Sequence, residues 1–194
     1  MDLINPSLRA GRCRRRWPIF NAASSPRGLE FTGKFCDIYF TSTYDFEGGG
    51  ERAREIRKTV WQNYHRTIEI LGNVVIYCAP TEKEAKDYRR EVVEKADFVA
   101  AKNNFEILNR RRTGTVDDAS RAVNEQYIVS YGSREVVGSP EQIADYFLKL
   151  AKAGCDGVCF SPIGYWEDTV RLVIDGVLPM LEQAGVRKRR RRTV

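Results

Sequence analysis

Trp17-Pro18-Ile19-Phe20-Asn21-Ala22-Ala23-Ser24-Ser25-Pro26-Arg27-Gly28 reads as a short apolar strand that runs straight into the start of a helix. Ser24 or Ser25 serves as the N-cap, and Pro26 suits the first helical position, where its missing N–H costs nothing. The small residues ahead of the cap let backbone N–H groups approach a ligand closely. A strand aimed at a helix N-terminus in this way forms a phosphate site. Partner strands ordinarily precede such a unit, yet it starts at residue 17. The expectation is that half a domain is absent from this chain.

Outward from that stretch, the hydrophobic period switches repeatedly between that of a strand and that of a helix. Trp17–Asn21 is a strand and Pro26–Phe35 a helix. Asp37–Thr41 is a second strand, and Asp45–Gly50 is a glycine-rich loop. Glu51–Leu71 reads as one long helix, with Ile56, Val60, Tyr64, Ile68 and Leu71 on a single stripe and Gly72 as its stop. Asn73–Cys78 is an apolar strand. Thr81 then caps a helix running from Glu82 to about Ala101, with Glu84 as its capping-box partner. From Lys102 to Glu125 the pattern is polar and irregular, and residues 102–125 are expected to form an insertion or loop. Tyr127–Tyr131 reads as a short strand or the end of a helix. Gly138-Ser139-Pro140-Glu141 opens a helix by the same logic as the first stretch, and that helix ends at Gly154. Cys155–Phe160 is a strand, and Glu167–Gln183 the last helix. Strands alternating with long helices imply parallel βα units. Four such units make either a small open sheet or half of an eight-stranded barrel.

Composition is that of an ordinary globular protein, with 42% apolar and 30% charged residues in 194. No apolar run approaches the ~18 residues of a membrane span, and no apolar segment follows Arg16 as a secretory signal would require. The net charge of +6 misleads. Six positive charges lie within Arg187–Arg192 and five within Arg9–Arg16, so without these eleven the body carries −5. The expected organisation is a basic irregular leader over 1–16, a barrel unit over 17–186 and a basic tail over 187–194. No aromatic residues interleave the tail, so it offers no stacking platform for bases and a nucleic-acid partner is not expected. Five scattered cysteines suit a reducing, cytoplasmic setting better than a disulfide framework. In a buried strand, Cys155 and Cys159 would point to one face as small core residues.

The order of motifs resembles the C-terminal half of the bacterial-luciferase-like, flavin-dependent monooxygenases. Three segments carry the likeness. The first runs from Asn21-Ala22-Ala23-Ser24-Ser25-Pro26-Arg27-Gly28 through Phe35-Cys36-Asp37-Ile38-Tyr39-Phe40-Thr41. The second is Val137-Gly138-Ser139-Pro140-Glu141-Gln142-Ile143-Ala144 through Ala153-Gly154-Cys155-Asp156-Gly157. The third is the closing helix, from Trp166-Glu167-Asp168 through Val177-Leu178-Pro179-Met180-Leu181. The resemblance implies an α/β fold of parallel βα units: an incomplete (β/α)8 TIM barrel supplying about the last four of its eight units. It implies reduced FMN as cofactor, supplied by a separate flavin reductase, with O2 and a small organic molecule as substrates. Ser24 and Ser25 would hold the FMN phosphate, with the backbone of Ala23 as a further donor. A non-catalytic half-barrel that self-associates or pairs with a partner chain is the alternative. The flavin-ring contacts and most catalytic groups of the family come from its earlier half, so no residue here is assigned a catalytic role.

The remaining candidates are weaker. His65, the sole histidine, falls inside the long predicted helix and is read as a packing or solvent-facing residue. No cluster has metal-ligand spacing, so no metal site is expected. Tyr131, Arg134, Ser161 and Tyr165 lie near predicted C-terminal strand ends, the face where barrel chemistry sits.

Overall fold

The strand Glu-Ile-Leu-Gly-Asn-Val-Val-Ile-Tyr-Cys, Glu69–Cys78, is the axis on which the other strands assemble. In the computed structural model, residues 17–23, 25–41, 49–113, 127–164 and 166–188 are described. In chain order the elements are β1 (Phe20–Asn21), α1 (Pro26–Phe35), β2 (Ile38–Thr41), α2 (Gly49–Tyr64), β3 (Glu69–Cys78), α3 (Glu82–Glu94), α4 (Phe98–Thr113), β4 (Arg134–Gly138), α5 (Pro140–Lys152), β5 (Gly157–Pro162) and α6 (Trp166–Leu172). A π-helical segment, Val173–Val177, joins α6 without a break to α7 (Leu178–Gln183).

All pairings are parallel. β1 pairs with β2, and β2 with residues 69–72 of β3. β5 pairs with residues 71–76 of β3. β4 pairs with residues 74–78. Because β5 overlaps both β2 and β4 along β3, it must lie on the opposite edge. β2 and β4 therefore share one edge of β3 in succession. As β2 diverges after Gly72, β4 takes over the hydrogen bonds it leaves. Four staves, β1, β2, β3 and β5, thus form a parallel partial barrel, with β4 as a patch on the C-terminal half of β3.

The outer face of the sheet is covered by helices. Tyr39, Ile70, Val74 and Ile76 join Ile143, Phe147 and Leu150 of α5 and Val173 and Val177 of the π segment in the main core. A second cluster lies on the other face, where Val75 and Tyr77 meet Val129, with Tyr88, Val92 and Val93 of α3 packed against them. There the Tyr77 hydroxyl donates to the Val129 carbonyl at 2.7 Å.

The starts of the strands are tied together by two aspartates. Asp37 accepts from the Ile19 N–H at 3.0 Å and from Arg66 at 3.3 Å. Asp156 accepts from the Ile70 N–H at 2.7 Å and from Arg57 at 2.5 Å. Each aspartate follows a buried cysteine, Cys36 or Cys155, and each directly precedes a strand or its first residue. The Cys155 thiol accepts from the Gly72 N–H at 3.2 Å and donates to the Gly157 carbonyl at 3.0 Å. This repeated Cys-Asp step is a structural device at the N-terminal end of the barrel, the end where residues serve stability.

Several sequence expectations are corrected. The long helix stops at Tyr64, not Leu71, and β3 starts at Glu69. His65 ends the helix in the left-handed region (φ 50), a role a glycine more often fills. It is exposed, with its ring edge-on to Trp61. The stripe was misleading because its last two members, Ile68 and Leu71, lie just before β3 and within it, not on the helix. Gly49 and Gly50 open α2 and are not loop. The helix after Thr81 is broken at 95–97, and α4 carries helical structure through Thr113, inside the expected insertion. Of the two readings of Tyr127–Tyr131 the helical one holds, over residues 127–130, whereas β4 was not expected. Cys155 and Cys159 do not share a buried face: Cys155 precedes β5 and is buried, while Cys159 is exposed. The segments 1–16, 42–48, 114–126 and 189–194, with Ser24 and Tyr165, lie outside the described residues. Among the described residues, no helix is long and apolar enough to cross a membrane.

Candidate functional site

Because the strands are parallel, Asn21, Thr41, Cys78 and Pro162 all mark the same C-terminal end of the sheet. The turn from β1 to α1 lies at that end. Ser25 is the N-cap of α1, and its Oγ accepts from the Gly28 N–H at 3.2 Å. Having accepted one bond, the hydroxyl keeps its own proton for donation. The Asn21 amide donates to Thr32 Oγ1 at 3.0 Å, and Thr32 donates on to the Gly28 carbonyl at 2.8 Å. The end of β1 is thereby braced against the second turn of α1. A Cβ on Gly28 would stand 2.4 Å from the Ala23 Cβ, so glycine is needed for the chain to fold back over its own helix. Sequence reasoning singled out the serines and passed over Gly28. The tight strand-to-helix turn was the available signal.

The chain has two Ser-Pro helix starts, and they differ electrostatically. At α5 the Ser139 hydroxyl donates to the Glu141 carboxylate at 2.5 Å, and this bond holds the Glu141 carboxyl below its usual pKa. Gln142 closes on the Ser139 N–H at 2.9 Å. That helix end already carries its own anion. The first turn of α1 holds no acidic residue and includes the exposed Arg27. The helix ends of α2, α3 and α6 carry Glu51, Glu82 with Glu84, and Glu167 with Asp168. The start of α1 therefore offers a positive dipole end with no acid in its first turn and a hydroxyl donor. This donor set suits a phosphate dianion. Ala23 and Ser25 sit together in the turn; Ser24 between them lies outside the described residues.

A second feature at the same end is a cavity of about 240 Å³ between the ends of β3 and β5, lined by Cys78, Pro80, Tyr88, Gly164, Asp168 and Thr169 among others. Burial, with a lesser push from the Glu141 carboxylate, raises the Cys78 thiol to about 11, so it is protonated at neutral pH. The thiolate needed for nucleophilic chemistry is thus absent there. The other flagged residues separate. Ser161 is the next-to-last residue of β5 and exposed, at the end expected. Arg134 opens β4 beside Val74, in the middle of β3, and is not at a strand's C-terminal end. Tyr131 precedes β4 with a positive φ of 52 and an exposed ring.

A sequence profile described as luciferase-like monooxygenase matches residues 3–157. The FMNH2-dependent dimethylsulfone monooxygenase of Pseudomonas fluorescens (strain Pf0-1) is 23% identical over 180 residues, covering 90% of this chain and 49% of that protein. The chain thus spans about half the length of this curated relative. Among solved structures, DmoA from Hyphomicrobium sulfonivorans superposes with a TM-score of 0.69 at 18% identity, covering 86% of this chain and 41% of DmoA. A riboflavin lyase (RcaE), solved with modified FMN and riboflavin, gives 0.71 at 23% identity, covering 86% of this chain and 43% of the lyase. The parallel βα order, the strand-to-helix turn at Ser25 and the profile match over most of the chain together place it in the luciferase-like monooxygenase family.

Proposed function

We propose that this chain supplies the phosphate-holding end of a flavin site in an FMN-dependent monooxygenase acting on a small organic molecule. The observation that carries this reading is the start of α1: Ser25 as N-cap, an acid-free first turn, and a glycine that lets Ala23 fold over the helix end. Ser24 and Ser25 would donate hydroxyl protons to the phosphate oxygens, with the Ala23 backbone as a further donor. Reduced FMN, when bound, supplies the electrons with which O2 is activated and one of its oxygen atoms passed to the substrate. The residues of this chain would hold and orient the cofactor's phosphate-bearing tail. A separate reductase would deliver the reduced flavin, and the four described cysteines, all free, accord with a cytoplasmic setting.

Titration of the purified chain with FMN and with riboflavin, each with and without inorganic phosphate, tests this. FMN is expected to bind more tightly than riboflavin, and phosphate to compete with it. The double variant Ser24→Ala/Ser25→Ala should weaken FMN binding about tenfold or more, the loss of two charge-assisted hydrogen bonds. Absence of FMN binding, or equal binding of riboflavin, overturns the assignment.

A second reading, a non-catalytic half-barrel that associates with another chain, is favoured by the exposure of Phe20 (67%) in β1 and of Trp17 (85%) just ahead of it.

A further inference from the structure

We infer that the cavity between the ends of β3 and β5 binds a small, largely apolar amine, with its ammonium group held at Asp168 and Thr169. The inference concerns this cavity alone and not the flavin phosphate, so the two fail separately.

The cavity measures about 240 Å³, the space of roughly eight waters. That admits a single ring or a short chain with one head group. Most of its wall is apolar. Cys78, Pro80 and Ala85 come from the end of β3 and the start of α3, and Ile163 and Leu172 from the end of β5 and from α6. An apolar wall with a few convergent polar groups is the usual make-up of a ligand pocket.

Thr169 sets the polar end. It lines the cavity and is only 5% exposed, yet among the described residues its hydroxyl has no hydrogen-bond partner. A buried hydroxyl left unpaired is costly, and an exception of this kind calls for a partner from outside the fold. Gly164 keeps the space before that hydroxyl clear. Its φ of 132 suits glycine, and a Cβ there would stand 3.0 Å from Thr169 Oγ1 and 3.4 Å from the Tyr88 ring.

The charge at the mouth selects the head group. Asp168 and Glu84 both line the cavity, and among the described residues that do so there is no lysine, arginine or histidine. The Glu84 carboxylate is engaged by Thr81 Oγ1, which donates to it at 2.7 Å. Asp168 has no ion-pair or hydrogen-bond partner among the described residues, so its carboxylate is the one at liberty to accept. An ammonium carries three donors and can meet both Asp168 and the Thr169 oxygen. A carboxylate or sulfonate in the same place would face two like charges with no cation to offset them.

The test uses residues 1–194 in a Cys13→Ser/Cys159→Ser background, which leaves the buried Cys36, Cys78 and Cys155. The probes are benzylamine, benzyl alcohol and benzoate, alike in the ring and different in the head group. By calorimetry at neutral pH, benzylamine should bind about tenfold or more tighter than benzyl alcohol, the worth of one charge-assisted hydrogen bond. Benzoate should not bind. Asp168→Asn should bring benzylamine down to the level of benzyl alcohol and leave the alcohol unchanged. Thr169→Val should weaken both by about threefold or more with unchanged circular dichroism. Bound benzylamine should slow the modification of Cys78 by methyl methanethiosulfonate, read by peptide mass spectrometry, and leave Cys36 and Cys155 unaffected. A cavity that holds only water binds none of the three probes, and that result overturns the inference. So does benzoate binding as tightly as benzylamine, or benzylamine binding that persists in full in Asp168→Asn or leaves Cys78 unprotected.

Discussion

The two faces of this sheet are made by the same strands, residue by residue in alternation, yet they end in opposite states. Outward, Ile70, Val74 and Ile76 are each at most 1% exposed, sealed by α5 and the π segment. Inward, burial is complete only at Val75 and Tyr77, where α3 and residues 127–130 lie over them. Toward β1 and β5 the inward residues are half-buried, as at Ile38, Phe40 and Leu71, or exposed, as at Phe20, Cys159 and Ser161. A βα unit brings its own cover for the outer face, because the crossover helix returns across it. The inner face is covered at Val75 and Tyr77 by α3 and residues 127–130; a closed barrel fills the rest with strands from across it.

The largest effect that sharpens this contrast is at Ile76, wholly buried on the outer face. Ile76→Ala should cost about 2–5 kcal/mol in urea unfolding. Phe20→Ala, inward on β1, should cost under about 0.5 kcal/mol in the dilute chain. Comparable losses at the two sites would break the distinction. A finer version lies within β5, where Phe160 and Ser161 are neighbours on opposite faces. Phe160 stacks against Phe147 of α5 with ring centroids 6.1 Å apart. Phe160→Ala should cost about 2 kcal/mol and Ser161→Ala almost nothing, read from thermal unfolding.

The smallest effect is on alkaline stability. Tyr77 faces inward and Cys78 outward, and burial is the main cause raising both. Each is favoured in its neutral form by folding, so their contribution is whole below the unfolded pKa and fades as pH rises through the folded one. For Cys78 that window runs from 9.0 to about 11. Stability measured by denaturant titration should decline across it, and the slope should shrink in Cys78→Ala. A flat profile would show that the surroundings of Cys78 do not exclude water as its burial indicates.

What the sequence made legible was whatever a single strand or helix specifies by itself. The Val-Val-Ile-Tyr run of β3, the Thr81 cap with Glu84 and the Ser-Pro starts of α1 and α5 each declare themselves through local chemistry. The Thr81 cap is met as expected, with Glu84 accepting from the Thr81 N–H at 3.0 Å. β4 was illegible because its place depends on where β2 leaves β3, a tertiary event. The end of α2 was misplaced because His65 stops it in a conformation that its residue type does not announce. Of the candidate site, Ser25 as cap was readable from the Ser-Pro step. The Gly28 contact with Ala23 was not, since it needs the angle between strand and helix. The repeated Cys-Asp step before β2 and β5 was visible as letters, but only the bonds of Asp37 and Asp156 show what it does.

The most direct measurement of the central claim is amide hydrogen exchange across residues 20–30 with and without FMN. Slowed exchange is expected at Ala23, Ser24, Ser25 and Arg27 when FMN is present, absent with riboflavin and lost in Ser24→Ala/Ser25→Ala. Binding of FMN with no protection in this segment, or with protection confined to another βα turn, would contradict it.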